Sequence, residues 1–90
     1  MNPRPEFTRV ILNPEASGGS GARFQRIVEE ELARRKLSFD LKVTEGLGHA
    51  RVLAKKAASE GVGRILVVGG DGTIHEVANG ILEANLAPPV

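Results

Sequence analysis

Cysteine, tryptophan and tyrosine are absent from this chain, and its aromatic content is three phenylalanines in 90 residues. Without cysteine there is no disulfide framework and no thiolate metal site, and His49 and His75 stand too far apart in sequence for ligand spacing. An excess of one charge is also missing. Twelve basic and eleven acidic side chains leave a net charge of +1, and no basic stripe alternates with stacking rings, so a nucleic-acid surface is excluded. No apolar run reaches the roughly 18–20 residues a helix needs to cross a bilayer. The start of the chain, with Asn2, Pro3, Pro5 and Glu6, has no apolar signal core. The expectation is a soluble, cytoplasmic chain whose 41% hydrophobic content suffices for one compact unit but not two.

What the chain does contain is a repeated alternation of strand and helix. Residues 8–13 hold a β-branched and aliphatic core closed by Pro14, which cannot donate to a ladder, so a first strand ends at Asn13. Residues 15–21 read as a loop by composition, and Phe24, Ile27, Val28 and Leu32 then predict a helix over about 21–36. Phe39, Leu41 and Val43 alternate with Asp40, Lys42 and Thr44, as in a strand at or near a sheet edge. Ala50, Leu53, Ala54 and Ala57 predict a second helix over about 48–60, stopped by Gly61 and Gly63. Residues 65–68 form the unbroken aliphatic run of a central strand covered on both faces. A third helix follows Asp71, striped by Ile74, Val77, Ala78, Ile81 and Leu82. All three helical stripes are assigned to the core.

The order βαβαβα predicts an α/β fold: a parallel sheet with right-handed crossovers, three-layer αβα and Rossmann-like, with ligand loops at the carboxyl ends of the strands. Strand orders 2-1-3 and 3-2-1 are both compatible. Three strands make a narrow sheet, and the last helix has no strand to return to before residue 90, so the expectation is a truncated domain.

The richest stretch is Val67-Val68-Gly69-Gly70-Asp71-Gly72-Thr73, which runs on through Glu76-Val77 and Asn79-Gly80. A strand enters a glycine turn and leaves as a helix, so backbone N–H groups and the positive end of a helix dipole become available to a phosphate. Asp71 is the odd member. A bare anion needs no carboxylate beside it, so this acid points to magnesium, to ribose hydroxyls or to a hydroxyl that must lose a proton. Familiar phosphate motifs fail here. The stretch beginning Gly19-Ser20-Gly21 has Phe24 where the dinucleotide fingerprint needs glycine, and no glycine is followed by lysine as a P-loop requires.

Three segments together resemble the diacylglycerol kinase catalytic domain, the family of ATP-dependent lipid kinases that includes sphingosine and ceramide kinases. They are Asn13-Pro14 with the trailing Ser17-Gly18-Gly19-Ser20-Gly21, the stretch from Thr44 that ends in Gly48-His49-Ala50, and Gly69 to Thr73 with its helix. All three fall on the loops deduced above. The resemblance implies that residues 1–90 are the N-terminal part of the catalytic domain, without the rest of that domain or its second, β-rich domain. It assigns Asn13, Pro14, Ser17, Gly18, Gly19, Ser20 and Gly21 to the nucleotide phosphates and ribose, and Thr44 to the nucleotide wall. Gly69, Gly70, Gly72 and Thr73 line the same pocket. Asp71 is left to hold Mg2+ through water or to act as base in activating the acceptor hydroxyl. The implied activity is transfer of the γ-phosphoryl of ATP to a lipid alcohol, diacylglycerol first, during transient contact with a membrane surface, with little activity from this portion alone. A homodimer is compatible.

Competing readings remain open. The acceptor could be NAD, since NAD kinases share the glycine-aspartate turn, or the chain could bind nucleotide without catalysis. Asp71 could be a helix N-cap, Asn13 a turn residue before Pro14, and residues 17–21 a flexible linker. His49 is read as a helix cap or a solvent-facing residue, and Glu76 and Asn79 as supporting hydrogen-bonding groups on one helix face.

Overall fold

The structure is a computed structural model that describes residues 4–86, apart from the side chain of Ser17. Expectations for that hydroxyl and for residues 87–90 lie outside the described residues. Three parallel strands, β1 (Arg4–Leu12), β2 (Phe39–Val43) and β3 (Val62–Val68), form one sheet in the order β2-β1-β3. They alternate with α1 (Ala16–Gly19), α2 (Gly21–Arg34), α3 (His49–Ser59) and α4 (Asp71–Leu86). The α/β fold and parallel sheet are as the periodicities predict, and of the two strand orders the chain adopts 2-1-3.

Strand β1 is the centre of the sheet. Val10, Ile11 and Leu12 are fully buried, pairing in register with Leu41, Lys42 and Val43 of β2 and with Leu66, Val67 and Val68 of β3. Ile11 joins Ala50, Ala54 and Val77 in the main core, with Leu53, Ile65, Val67 and Ile81 packed against it. That face belongs to α3 and α4. Strand alternation turns Val10 and Leu12 to the opposite face, where a right-handed crossover from β1 to β2 places α2. Small residues let α3 and α4 pack closely: a Cβ on Gly80 would collide with the backbone oxygen of Arg51.

Several expectations are corrected. Against the expectation of a central strand for residues 65–68, among the described residues β3 lies at an edge of the sheet, with Leu66 39% exposed. Among the described residues, the face of β3 carrying Ile65 and Val67 is the one packed on the core. The helical stripes are not wholly core. Ile27 of α2 stays exposed, as do Ile74 and Leu82 of α4, where the buried side is the one bearing Thr73, Val77 and Gly80. Residues 15–21 are not all loop, since residues 16–19 form one helical turn, which ends where Gly18 and Gly19 take φ of 72° and 100°. Strands β1 and β3 also begin earlier than predicted, where Arg4 pairs with Val62 across an irregularity.

Midway along the central strand, Arg9 is 5% exposed. Its guanidinium grips Asp40 of β2 with two hydrogen bonds, Nε to Oδ1 at 2.8 Å and Nη2 to Oδ2 at 3.0 Å, and donates through Nη1 to Glu60 at the end of α3. One side chain thus ties the centre strand to its neighbour and to a helix on one face. Burial pushes the Asp40 carboxyl up, but the hydrogen bonds and charge of Arg9 more than offset it and hold it below its ordinary value. Arg9 likewise lowers Glu60, and Asp40 leads in raising Arg9.

Both carboxyls have lowered folded pKa values, so their contribution is fully present above the ordinary carboxylate range, about pH 4, and is lost as the pH falls through the lowered values. Asp40→Asn leaves Arg9 half-paired and is expected to cost about 1–3 kcal/mol at pH 7, less than a fully buried pair because Asp40 is one-third exposed. Urea unfolding at pH 7 and pH 3 checks this. The gap between wild type and variant should narrow at pH 3, and an unchanged gap would show that ion pairing is not its cause.

Candidate functional site

With strand order 2-1-3, the chain leaves β1 toward one side of the sheet and returns to the other side as β3. The carboxyl ends of β1 and β3 therefore flank a topological switch point, where α/β sheets open a crevice. Backbone bonds fix the three strand ends against one another: the Asn13 N–H donates to Val68 O, and the Thr44 N–H to Leu12 O, each at 2.8 Å. A cleft of about 610 Å³ opens there. Its walls come from the loop after β1 (Asn13, Pro14, Glu15, Ala16), the loop after β2 (Thr44, Glu45, Gly46, Leu47, with Ala50) and the start of α4 (Gly70, Gly72, Thr73, Glu76).

Two helices aim their N-termini at this cleft. In α4 the first bond runs from the Ile74 N–H to Gly70 O at 3.1 Å, so the N–H groups of residues 71–73 lack an intrahelical acceptor. In α3 the Val52 N–H bonds to Gly48 O at 3.4 Å, which leaves those of Ala50 and Arg51 in the same condition. These ends attract an anion. The side chains do not share that sign. Glu15, Glu45 and Glu76 line the cleft, and no lysine or arginine does so among the described residues.

Asp71 is an exposed first-turn residue of α4. Gly70, whose carbonyl accepts the first helical bond, holds the cap position, so Asp71 is not the N-cap. Its carboxylate has no hydrogen-bond or ion-pair partner among the described residues and stands between two glycines of the cleft wall. Asn13 ties the loop after β1 to the first turn of α4, with Oδ1 accepting the Glu15 N–H at 2.9 Å and Nδ2 donating to Thr73 Oγ1 at 3.0 Å. His49 pins the loop after β2: its Nδ1 accepts the Glu45 N–H at 2.9 Å, which requires that nitrogen to be unprotonated.

The glycines divide by what surrounds them. A Cβ on Gly69 would lie 2.7 Å from both Cβ and Oγ1 of Thr73, and one on Gly21 would strike the backbone of Pro14. These two are demanded by packing. Around Gly70 and Gly72 nothing lies within 4 Å of a built Cβ, so the fold alone does not require their lack of a side chain. Of the residues singled out in the sequence, Asn13, Pro14, Thr44, Gly70, Gly72 and Thr73 line the cleft; Gly18, Gly19, Ser20, Gly21, Gly69 and Asp71 do not. Glu15 and Glu45 were missed as wall residues. Their one sequence signal was adjacency to Asn13-Pro14 and to Thr44.

Residues 8–90 match the family model described as the diacylglycerol kinase catalytic domain. The chain is 41% identical to human sphingosine kinase 1 over 90% of its own length, and 36% identical to a Staphylococcus carnosus diacylglycerol kinase over 91%. It is 33% identical to an Arabidopsis thaliana ceramide kinase over 97%. It spans 21%, 27% and 15% of the length of these relatives, respectively.

The division of glycines has a direct check in urea unfolding. Gly69→Ala should cost about 1–3 kcal/mol through overpacking against Thr73, whereas Gly72→Ala, in an open helical turn, should leave stability unchanged or raise it by up to about 1 kcal/mol. Equal losses in both variants would contradict the division.

Proposed function

Because the chain belongs to the diacylglycerol kinase catalytic domain family, we propose that it supplies part of the nucleotide site of an ATP-dependent lipid kinase. In this reading it is the N-terminal part of the catalytic domain, and the γ-phosphoryl of ATP goes to the hydroxyl of a lipid alcohol. The acceptor we assign is diacylglycerol, supported by the family description and the Staphylococcus relative. The observation that carries the reading is the cleft at the switch point, where Asn13, Thr44, Gly70, Gly72 and Thr73 converge below two helix N-termini.

A polyphosphate fits that cleft only with its charge reduced, because among the described residues carboxylates and no cations line it. Hard oxygen donors suit Mg2+, which keeps several waters and shares phosphate oxygens with one or two carboxylates. No cluster of three or more acidic or histidine side chains among the described residues could hold a metal alone. Asp71 is the carboxylate we place at the reacting end, either at the metal through water or as base for the acceptor hydroxyl. The ion would neutralise charge developing on the transferring phosphoryl group.

The acceptor oxygen forms a bond to the γ-phosphorus as the bond to the β–γ bridging oxygen breaks, and ADP leaves. The acceptor proton must go to a base. Asp71, exposed and without an internal partner, is within the motif we assign to that end of the site. The chain's other contribution is positioning: Gly70 and Gly72 admit phosphate oxygens to the N–H groups of α4, and Thr44 walls the opposite side. No helix among the described residues is long and apolar enough to cross a membrane, and in this reading the protein meets its lipid by transient contact with a membrane surface.

The test uses the full-length protein with detergent-dispersed diacylglycerol, sphingosine, ceramide and, separately, NAD. Asp71→Asn should lower kcat by about 10²–10⁴-fold while ATP affinity changes only a few-fold, and Gly70→Val should abolish ATP binding measured by calorimetry. Phosphorylation of NAD with no lipid turnover would refute the assignment.

A further inference from the structure

Asn13 sits in the nucleotide cleft, yet its side chain is engaged within the protein. Oδ1 accepts the Glu15 N–H at 2.9 Å and Nδ2 donates to Thr73 Oγ1 at 3.0 Å. The amide orientation is fixed by this pair of bonds, since a flipped amide would set a donor against the Glu15 N–H. Thr73 is just as constrained. It is 7% exposed, and its β-carbon and hydroxyl lie over Gly69, where even a methyl group would collide. A threonine hydroxyl has one proton to give and lone pairs to receive. With a lone pair occupied by the Asn13 amide, the Thr73 proton is directed elsewhere, and Thr73 is part of the cleft wall.

We propose that Asn13 is a positioning residue that acts through Thr73, and that the Thr73 hydroxyl is the donor that meets an anionic ligand oxygen. This rests on the nucleotide reading above and names which of two adjacent polar residues touches the phosphate. It also explains why an amide is suited to residue 13. Aspartate would keep the turn to Glu15 but claim the Thr73 proton for itself, and would add a fourth carboxylate to a cleft lined by Glu15, Glu45 and Glu76. Serine would keep a local turn but not the reach to Thr73. The same bond joins the loop after β1 to the first turn of α4, so the two walls on either side of the switch point are tied together before ligand arrives.

The experiment is a double-mutant cycle on the full-length protein, with Asn13→Ala, Asn13→Ser, Thr73→Val, Thr73→Ser and the Asn13→Ala/Thr73→Val pair. Calorimetry with MgATP is run where each variant is shown to be folded. Thr73→Val and Asn13→Ala should each weaken binding by about ten- to 150-fold, as for loss of a hydrogen bond to a charged group, and the pair should be no weaker than Thr73→Val alone. Thr73→Ser should stay within about twofold, because the hydroxyl remains, and Asn13→Ser should match Asn13→Ala. Losses that multiply in the pair would place Asn13 in direct contact with the ligand and overturn the proposal. Wild type that fails to bind MgATP would instead overturn the nucleotide reading. Unfolding of the same variants without ligand then judges the link: coupling should change the unfolding constant by about three- to tenfold, and purely additive effects would overturn it.

Discussion

The central place of β1 is the constraint on which the rest of the molecule depends. In a strand, three consecutive residues with no exposed surface require cover on both faces, and Val10, Ile11 and Leu12, paired on both edges, meet that condition. With β1 central, the crossover from β1 to β2 and the one from β2 to β3 run in opposite directions across the sheet, and the cleft forms at the carboxyl ends of β1 and β3. Arg9, the residue before this buried run, strengthens the arrangement. By holding Asp40 and Glu60 together it ties the last turn of α3 to the sheet, which leaves the first turn of that helix at the cleft, where Ala50 forms part of the wall.

Much of this was legible in the sequence. The alternation of period-two and period-3.6 patterns gives the number, type and order of the three strands and three longer helices, and glycine-rich stretches mark their carboxyl-end loops. What periodicity cannot supply is which strand lies in the middle, because an unbroken aliphatic run records hydrophobicity without saying how many neighbours cover it. Residues 65–68 are the example: Ile65 and Val67 are packed while Leu66 remains 39% exposed. Arg9 is the converse case. A lone cation in a strand gives no sign of burial, since its partners, Asp40 and Glu60, are distant in sequence and meet it only in the fold.

The site residues show the same limit at finer scale. Composition treats Gly69, Gly70 and Gly72 alike, and only the surroundings separate the one under Thr73 from the two facing open space. Asn13 was read as a ligand contact or a turn residue, and its amide does form the turn with the Glu15 N–H while also reaching Thr73, sixty positions along the chain. A motif records which residues occur together. It does not record which of them touch the ligand and which hold the others in place.

The electrostatics of the cleft narrow the class of ligand further than its shape does. Two helix N-termini favour negative charge, and three glutamates oppose it. A bare anion would gain from the first and lose to the second, and a simple cation the reverse. A ligand that presents both signs, with oxygens toward the N–H groups and a divalent ion toward the carboxylates, satisfies both sets at once. A magnesium-bound polyphosphate has that pattern, and Asp71 adds a carboxylate without an internal partner beside the N–H groups of α4. The acidic wall that would repel ATP alone therefore becomes, under the proposed function, a reason for the cleft to accept it only in its metal-bound form.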